Sequence, residues 1–231
     1  MGAPEKHGKS LPLLPLALAC AVSFAAAAQE MKLEFVDEAA RDASWTGFRK
    51  RLLAALEKRD LKFVLSILDR NVRAGHEGAR GGAEFRRLWS LDAADSPLWR
   101  ELTAALMLGS AWLRREDGSR ELCAPYVLAR WPQDVDPMKH GVLVAREVLV
   151  KSEPSQDSPT LAALSYAIVP VADWEVDDRA REARQKWVRI RLKEAEGYVP
   201  EEQIRSPVEH AACFVRTEGG WRMTAFAPAG G

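Results

Sequence analysis

The sequence predicts an α+β chain: a helix-rich N-terminal domain carrying a β-hairpin, then a small barrel of short strands, then a C-terminal hairpin. Three observations carry this. Apolar residues recur at helical spacing between Trp45 and Leu106. After Gly141 the apolar period drops to two. Near the end, Gly219-Gly220 separates two strand-like flanks, a composition suited to a two-residue hairpin turn.

Trp45, Phe48, Leu52 and Leu56 follow one another at spacings of 3, 4 and 4, which puts them on one face of a helix that Ser44 can cap. Asp60 can cap a second helix, "LKFVLSIL", with Leu61, Val64, Ile67 and Leu68 on a shared face. The Gly-rich stretch "AGHEGARGG" lacks the Gly-Lys-Ser/Thr that opens a phosphate-binding helix, so it reads as a surface loop. "AEFRRLW" gives a short helix. Ser96-Pro97 starts another, with Leu98, Leu102, Ala105 and Leu106 as its stripe and Gly109 at its end. Trp45, Trp89, Trp99 and Trp112 are spaced as core residues of this first domain, residues 44–138. Asp117-Gly118 marks a hairpin whose second strand carries Cys123, and Pro125 puts that strand at an edge or brings it to an end. "RWPQDVDPMKHG" reads as a linker.

Residues 139–207 hold about five short strands, enough for a small barrel. They are "VLVAREVLVKS", the long "TLAALSYAIVPVADW", "KWVRIRL" and "EGYVP" with "IRSP". The hairpin of residues 208–231 need not belong to that unit. If it returns to pair with the first domain's hairpin, Cys213 comes near Cys123. A bridge between them would close a loop of 90 residues (213 minus 123); two buried free thiols are the alternative.

Residues 1–28 have a weakly basic start and an uncharged run, "LPLLPLALACAVSFAAAA", ending in three alanines before Gln29-Glu30. This is the pattern of a cleaved signal peptide, which predicts a periplasmic or secreted protein with no stable membrane span after cleavage. "ALAC" offers lipid anchoring through Cys20 as a lesser alternative. Residues 29–43 read as a loose charged leader. Lys+Arg and Asp+Glu are both 33, so no long-range attraction to nucleic acid is expected.

Val148, Val150, Lys151, Ser152, Glu153, Pro154 and Ser155 form a stretch that resembles the opening of bacterial SH3 (SH3b) domains, Val-x-Val-Arg-Ser-Gly-Pro-Ser, with Lys for Arg and Glu for Gly. Trp187-Val188 and Glu196-Gly197-Tyr198-Val199 continue the likeness, with Gly197 expected to supply backbone freedom to a tight turn. The resemblance covers about residues 140 to 207. The wider layout, including the ending "GGWRMTAFAPAG", is similar to an uncharacterised family of exported SH3 domain-containing proteins. The resemblance implies noncovalent binding of a peptidoglycan peptide or an exported partner protein, without a cofactor. Tyr166, Trp174, Trp187 and Tyr198 are the candidate ligand-binding rings. "DWEVDDRAREARQK" lengthens the loop before Trp187 and can reshape any groove there.

No catalytic constellation is recognised. Cys123 and Cys213 lie on strand-like segments, not at a helix start, and His76, His140 and His210 show no metal-binding spacing. Glu84 and Glu101 read as surface charges on helices. Two other functions remain open: a cell-wall hydrolase whose site lies within residues 44–135, revived by a buried carboxylate pair, or an inhibitor or accessory protein of another exported enzyme.

Overall fold

The computed structural model describes residues 1–2, 30–75, 78–180 and 185–228. The expected signal segment, including Cys20, lies outside the described residues apart from Met1 and Gly2, as do His76 and the middle of the insertion before Trp187. What is described is a mixed α+β chain with two sheets.

The first helix, α1, spans Ala43–Glu57 and buries Trp45, Phe48, Leu52 and Leu56 as their spacing requires. Its cap is Asp42, not Ser44. One Asp42 oxygen accepts from the amides of Ser44 (2.8 Å) and Trp45 (3.2 Å) and from the Ser44 hydroxyl (2.7 Å). A carboxylate only accepts, so it takes the free helix-end donors and turns the serine into another donor. Asp60 caps α2 (Leu61–Ser66) through the Phe63 amide at 2.9 Å. That helix is shorter than its periodicity predicts, because Leu68–Arg73 leaves it to form strand β1. Two further helices follow, α3 (Gly82–Leu88) and α4 (Leu98–Met107). The Ser96 hydroxyl accepts from the first amide of α4 at 3.3 Å and donates to the Trp89 carbonyl at 2.6 Å.

The predicted hairpin is β2 (Ala111–Arg114) and β3 (Arg120–Ala124). Pro125 ends β3 and leads into α5 (Tyr126–Arg130), a helix the sequence reading missed. The strand-rich part then runs β4 (His140–Leu143), β5 (Val148–Lys151), β6 (Thr160–Leu164), β7 (Ile168–Asp177), β8 (Lys186–Arg191), β9 (Glu196–Pro200) and β10 (Ile204–Arg205). The closing hairpin is β11 (His210–Thr217) and β12 (Gly220–Pro228).

That hairpin returns to the front of the chain. The five-stranded sheet has the order β1-β12-β11-β3-β2, with β1 parallel to β12 and the other pairs antiparallel. Its helix-facing side carries Leu122, Phe214, Met223 and Phe226, packed with Trp45, Leu52, Leu102 and Leu106. On its other side Cys213 lies opposite Cys123, and the two are joined by a disulfide with Cα atoms 4.1 Å apart.

The second sheet has the order β10-β4-β7-β8-β9-β5-β6. Leu143, Val150, Val169, Val188, Val199 and Ile204, one each from six of its strands, meet in one core against which Ala162 and Leu164 of β6 also pack. Gly197 lies inside β9 with no left-handed backbone, so turn freedom is not its role. A Cβ there would stand 2.4 Å from Val150 Cγ1 and 3.1 Å from the Lys151 carbonyl oxygen. Glycine is required because two strands approach closely over the core.

The leader is not loose. Lys32 bridges to Ala167, and the Leu33 amide donates to the Tyr166 carbonyl at 2.9 Å. Asp37 then accepts from the Ser110 hydroxyl (2.7 Å) and Arg49 (2.9 Å), while Glu38 accepts from the Trp112 amide (2.8 Å) and pairs with Arg130. Gly109 makes this approach possible. It sits at φ +66°, and a Cβ on it would lie 2.2 Å from the Val36 carbonyl oxygen. Charged residues gave the segment the look of solvated chain, but its carboxylates are used on fixed donors. Beneath it Ala111, Tyr126, Val127, Val135, Val142 and Ile168 form a third core joining the two sheets.

Tyr126 is fully buried there and donates its hydroxyl to the Leu33 carbonyl at 3.0 Å. Burial pushes its pKa up to about 12, helped by neighbouring Tyr166 and Glu34. The buried phenol is favoured neutral. Its contribution is complete below the unfolded value of about 10 and declines, by up to about 1.4 kcal/mol per pH unit, as pH rises toward the folded value. Tyr126→Phe should therefore unfold at lower urea at pH 8, by about 1 kcal/mol, and this deficit should narrow by pH 11.5 as the native protein loses its advantage. A constant deficit across that range would contradict the assignment. Reducing the disulfide, or replacing both cysteines by alanine, should also lower the urea midpoint. Opening a link between residues 90 apart removes about 4–5 kcal/mol in the chain-entropy model. Two titratable thiols in the unreduced, denatured protein would refute the bridge.

Candidate functional site

Directly opposed residues on neighbouring strands place their side chains on one face of a sheet. Across β7, β8, β9, β5 and β6 this rule gives a row facing away from the second core: Asp173 opposite Arg189, Arg189 opposite Tyr198, Tyr198 opposite Lys151, and Lys151 opposite Thr160. Arg189 is held from both sides, by Asp173 at 3.8 Å and Glu196 at 3.4 Å. Its Nε is buried and has no hydrogen-bond partner. Lys151 Nζ donates to the Ser158 carbonyl (3.0 Å) and the Thr160 hydroxyl (3.3 Å). Tyr198 is half-buried between the two cations. The row thus offers one ring face, two anchored cations and a hydroxyl on strands that cannot shift independently.

The four predicted rings do not come together. Trp187 is fully buried, and this corrects the expectation that it serves as a contact ring. Its indole N–H donates to Asp178 at 2.8 Å. The physical reason is the insertion before it. The Arg179 amide donates to the Pro154 carbonyl at 2.8 Å and its side chain pairs with Glu153, which draws the insertion onto the turn that carries the Pro-Ser motif. Tyr166 is half-buried at φ +54°, beside Tyr126, and so belongs to the junction with the leader. Trp174 packs against the second core, where a Cβ on Gly141 would lie 2.8 Å from its ring. Tyr198 alone of the four lies on the row. Lys151, Asp173 and Arg189 were missed because ring type served as the search signal. The polar phase of the alternation in "KWVRIRL" and "VLVK" marks two of them.

The front domain offers little for hydrolysis among the described residues. Its one buried carboxylate is Glu121, gripped by Arg73 (2.9 Å) and Arg115 (2.8 Å). Burial lowers the Arg73 pKa, and the Glu121 charge opposes that shift. Glu121 lies within 4.8 Å of both cysteine sulfurs, but the bridge removes the thiolates that would make those three a metal ligand set. Glu84 pairs with Arg87, whose hydrogen bond lowers its pKa, and Glu101 pairs with Arg100. His140 lies 3.0 Å from the Asp136 carbonyl through Nδ1, and His210 packs beside Trp89 and Phe226.

A concavity of about 280 Å³ opens at the far end of the front domain. It lies between α1, the end of α2 and the β11–β12 turn, with Phe48, Phe63 and Trp221 as walls and Arg51 and Arg222 beside them. The turn is the Gly-Gly-Trp segment of the chain's ending. No helix among the described residues is long and apolar enough to cross a membrane. No family model matches the chain, and no curated protein or solved structure shows significant similarity to it.

Proposed function

We propose that this is an exported, non-enzymatic binding protein of the bacterial envelope, whose strand-rich part is an SH3-like barrel that holds a wall peptide or an exported partner protein. The observation that carries the reading is the row across β7, β8, β9 and β5, with Tyr198 between Lys151 and Arg189. A ring flanked by two fixed cations on a rigid sheet suits a short peptide bearing carboxylates, because the ring face grips at low entropic cost and the cations set orientation. Two further observations support it. A disulfide that staples two sheet strands suits an oxidising compartment. The shared core of the second sheet suits a coiled, SH3-like arrangement of its short strands.

The test is retention on purified peptidoglycan by the native protein and by Tyr198→Ala, with folding checked by urea midpoint. Truncation of a contact ring should weaken retention by about tenfold or more. Equal retention of the folded variant would remove the row from the function. Release of soluble muropeptides by the native protein would replace binding with hydrolysis.

A further inference from the structure

The concavity beneath the β11–β12 turn is not used by the strand face, and it has the features of a built ligand site. Trp221 is pinned: its indole N–H donates to the Ser44 hydroxyl at 3.1 Å, and its ring stacks with Phe48 at 6.4 Å between centroids. Arg222 is aimed by a hydrogen bond from Nη1 to the Ser66 carbonyl, a neutral partner, and it makes no ion pair among the described residues. Arg51 makes no hydrogen bond or ion pair among the described residues, whereas Arg49, on the same helix, is paired with Asp37. No carboxylate lines the space. Gly219 and Gly220 border its mouth in open surroundings. A Cβ on Gly220 would meet nothing within 4 Å, and one on Gly219 would meet only side-chain ends, at 3.8 and 3.9 Å.

We propose that this pocket binds the free C-terminal carboxylate of a peptide whose last residue is apolar. Two guanidinium-bearing side chains and three ring walls lining one concavity match a carboxylate joined to a hydrocarbon side chain. The volume of about 280 Å³ is small for an organic ligand site and suits a single terminal residue. Because Trp221 and Arg222 are already held by Ser44 and Ser66, the main ordering left to oppose binding is that of the exposed Arg51 side chain. The site is separate from the Tyr198 row and does not depend on it.

The experiment follows the amide resonances of Gly219 and Gly220 in the ¹⁵N-labelled protein during titration with N-acetyl-Ala-Leu and, separately, with its C-terminal amide. The acid should give saturable shifts at both glycines, and the amide should bind at least about tenfold more weakly. Arg51→Gln, on an exposed position of α1, should weaken the acid about tenfold, while Tyr198→Ala should leave it unchanged. Four results would each overturn the proposal: no saturable shift by about 10 mM, equal binding of acid and amide, no effect of Arg51→Gln, or matching shifts from acetate or inorganic phosphate, which would mark an adventitious ion only.

Discussion

The structure depends on the insertion of β11 between β12 and β3. Without that strand the sheet splits into two two-stranded pieces, β1–β12 and β3–β2, each too little for a stable layer under the front helices. With it, Phe214 and Trp221 reach α1 and sit edge-on to Trp45 at 5.1 and 5.0 Å. The pairing joins residues about ninety apart in sequence, so the chain must lose a large closure entropy before any contact repays it. The Cys123–Cys213 bridge lies within this pairing and removes much of that entropy from the unfolded chain beforehand, so less is lost on folding. The entire strand-rich part is thereby an excursion whose exit and return are fixed by one sheet.

Fixing the two ends of an excursion does not fix its orientation. That is done by the leader and by α5. The leader hydrogen-bonds to Tyr166 and Ile168 on one side and to Ser110 and Trp112 on the other, and Tyr126 fills the space beneath it. A tyrosine suits this place: its ring buries apolar area in the third core, and its hydroxyl donates to the carbonyl of half-buried Leu33. The Tyr198 row and the pocket therefore sit on parts of one body.

Much of this arrangement was legible where short-range chemistry decides. The α1 and α4 stripes, the Asp60 cap, the Asp117-Gly118 turn and the Gly219-Gly220 turn each follow from residues within a few positions. What escaped were elements decided at long range. β1, "LDRNVR", has only Val72 fully buried and no clear period; it is a strand because β12 lies beside it. The charged leader is ordered because its carboxylates find donors some 70 residues away. Gly197 was recognised as necessary but for the wrong reason, since close approach to Val150 leaves no local trace. Trp187 shows the same limit at the candidate site. Its alternation with Val188 says that the two point opposite ways, yet both are buried, because an insertion folds back over the outer one.

The charge pattern constrains how such a protein can recognise anything. With 33 cationic and 33 anionic side chains the molecule has no net field to draw a partner in, so its selectivity has to arise at contact distance. There the cations divide into two kinds. Arg189 and Arg73 sit beside carboxylates, Asp173 and Glu196 for one and Glu121 for the other, and an incoming anion must compete with them. Arg51 and Arg222 have no such neighbour in the pocket lining. In a globally neutral chain the uncompensated pair is where an anion gains most; in the row it is Lys151, held only by neutral oxygens, that would meet a carboxylate, with Tyr198 supplying the apolar surface beside it. The row and the pocket differ in chemistry for that reason.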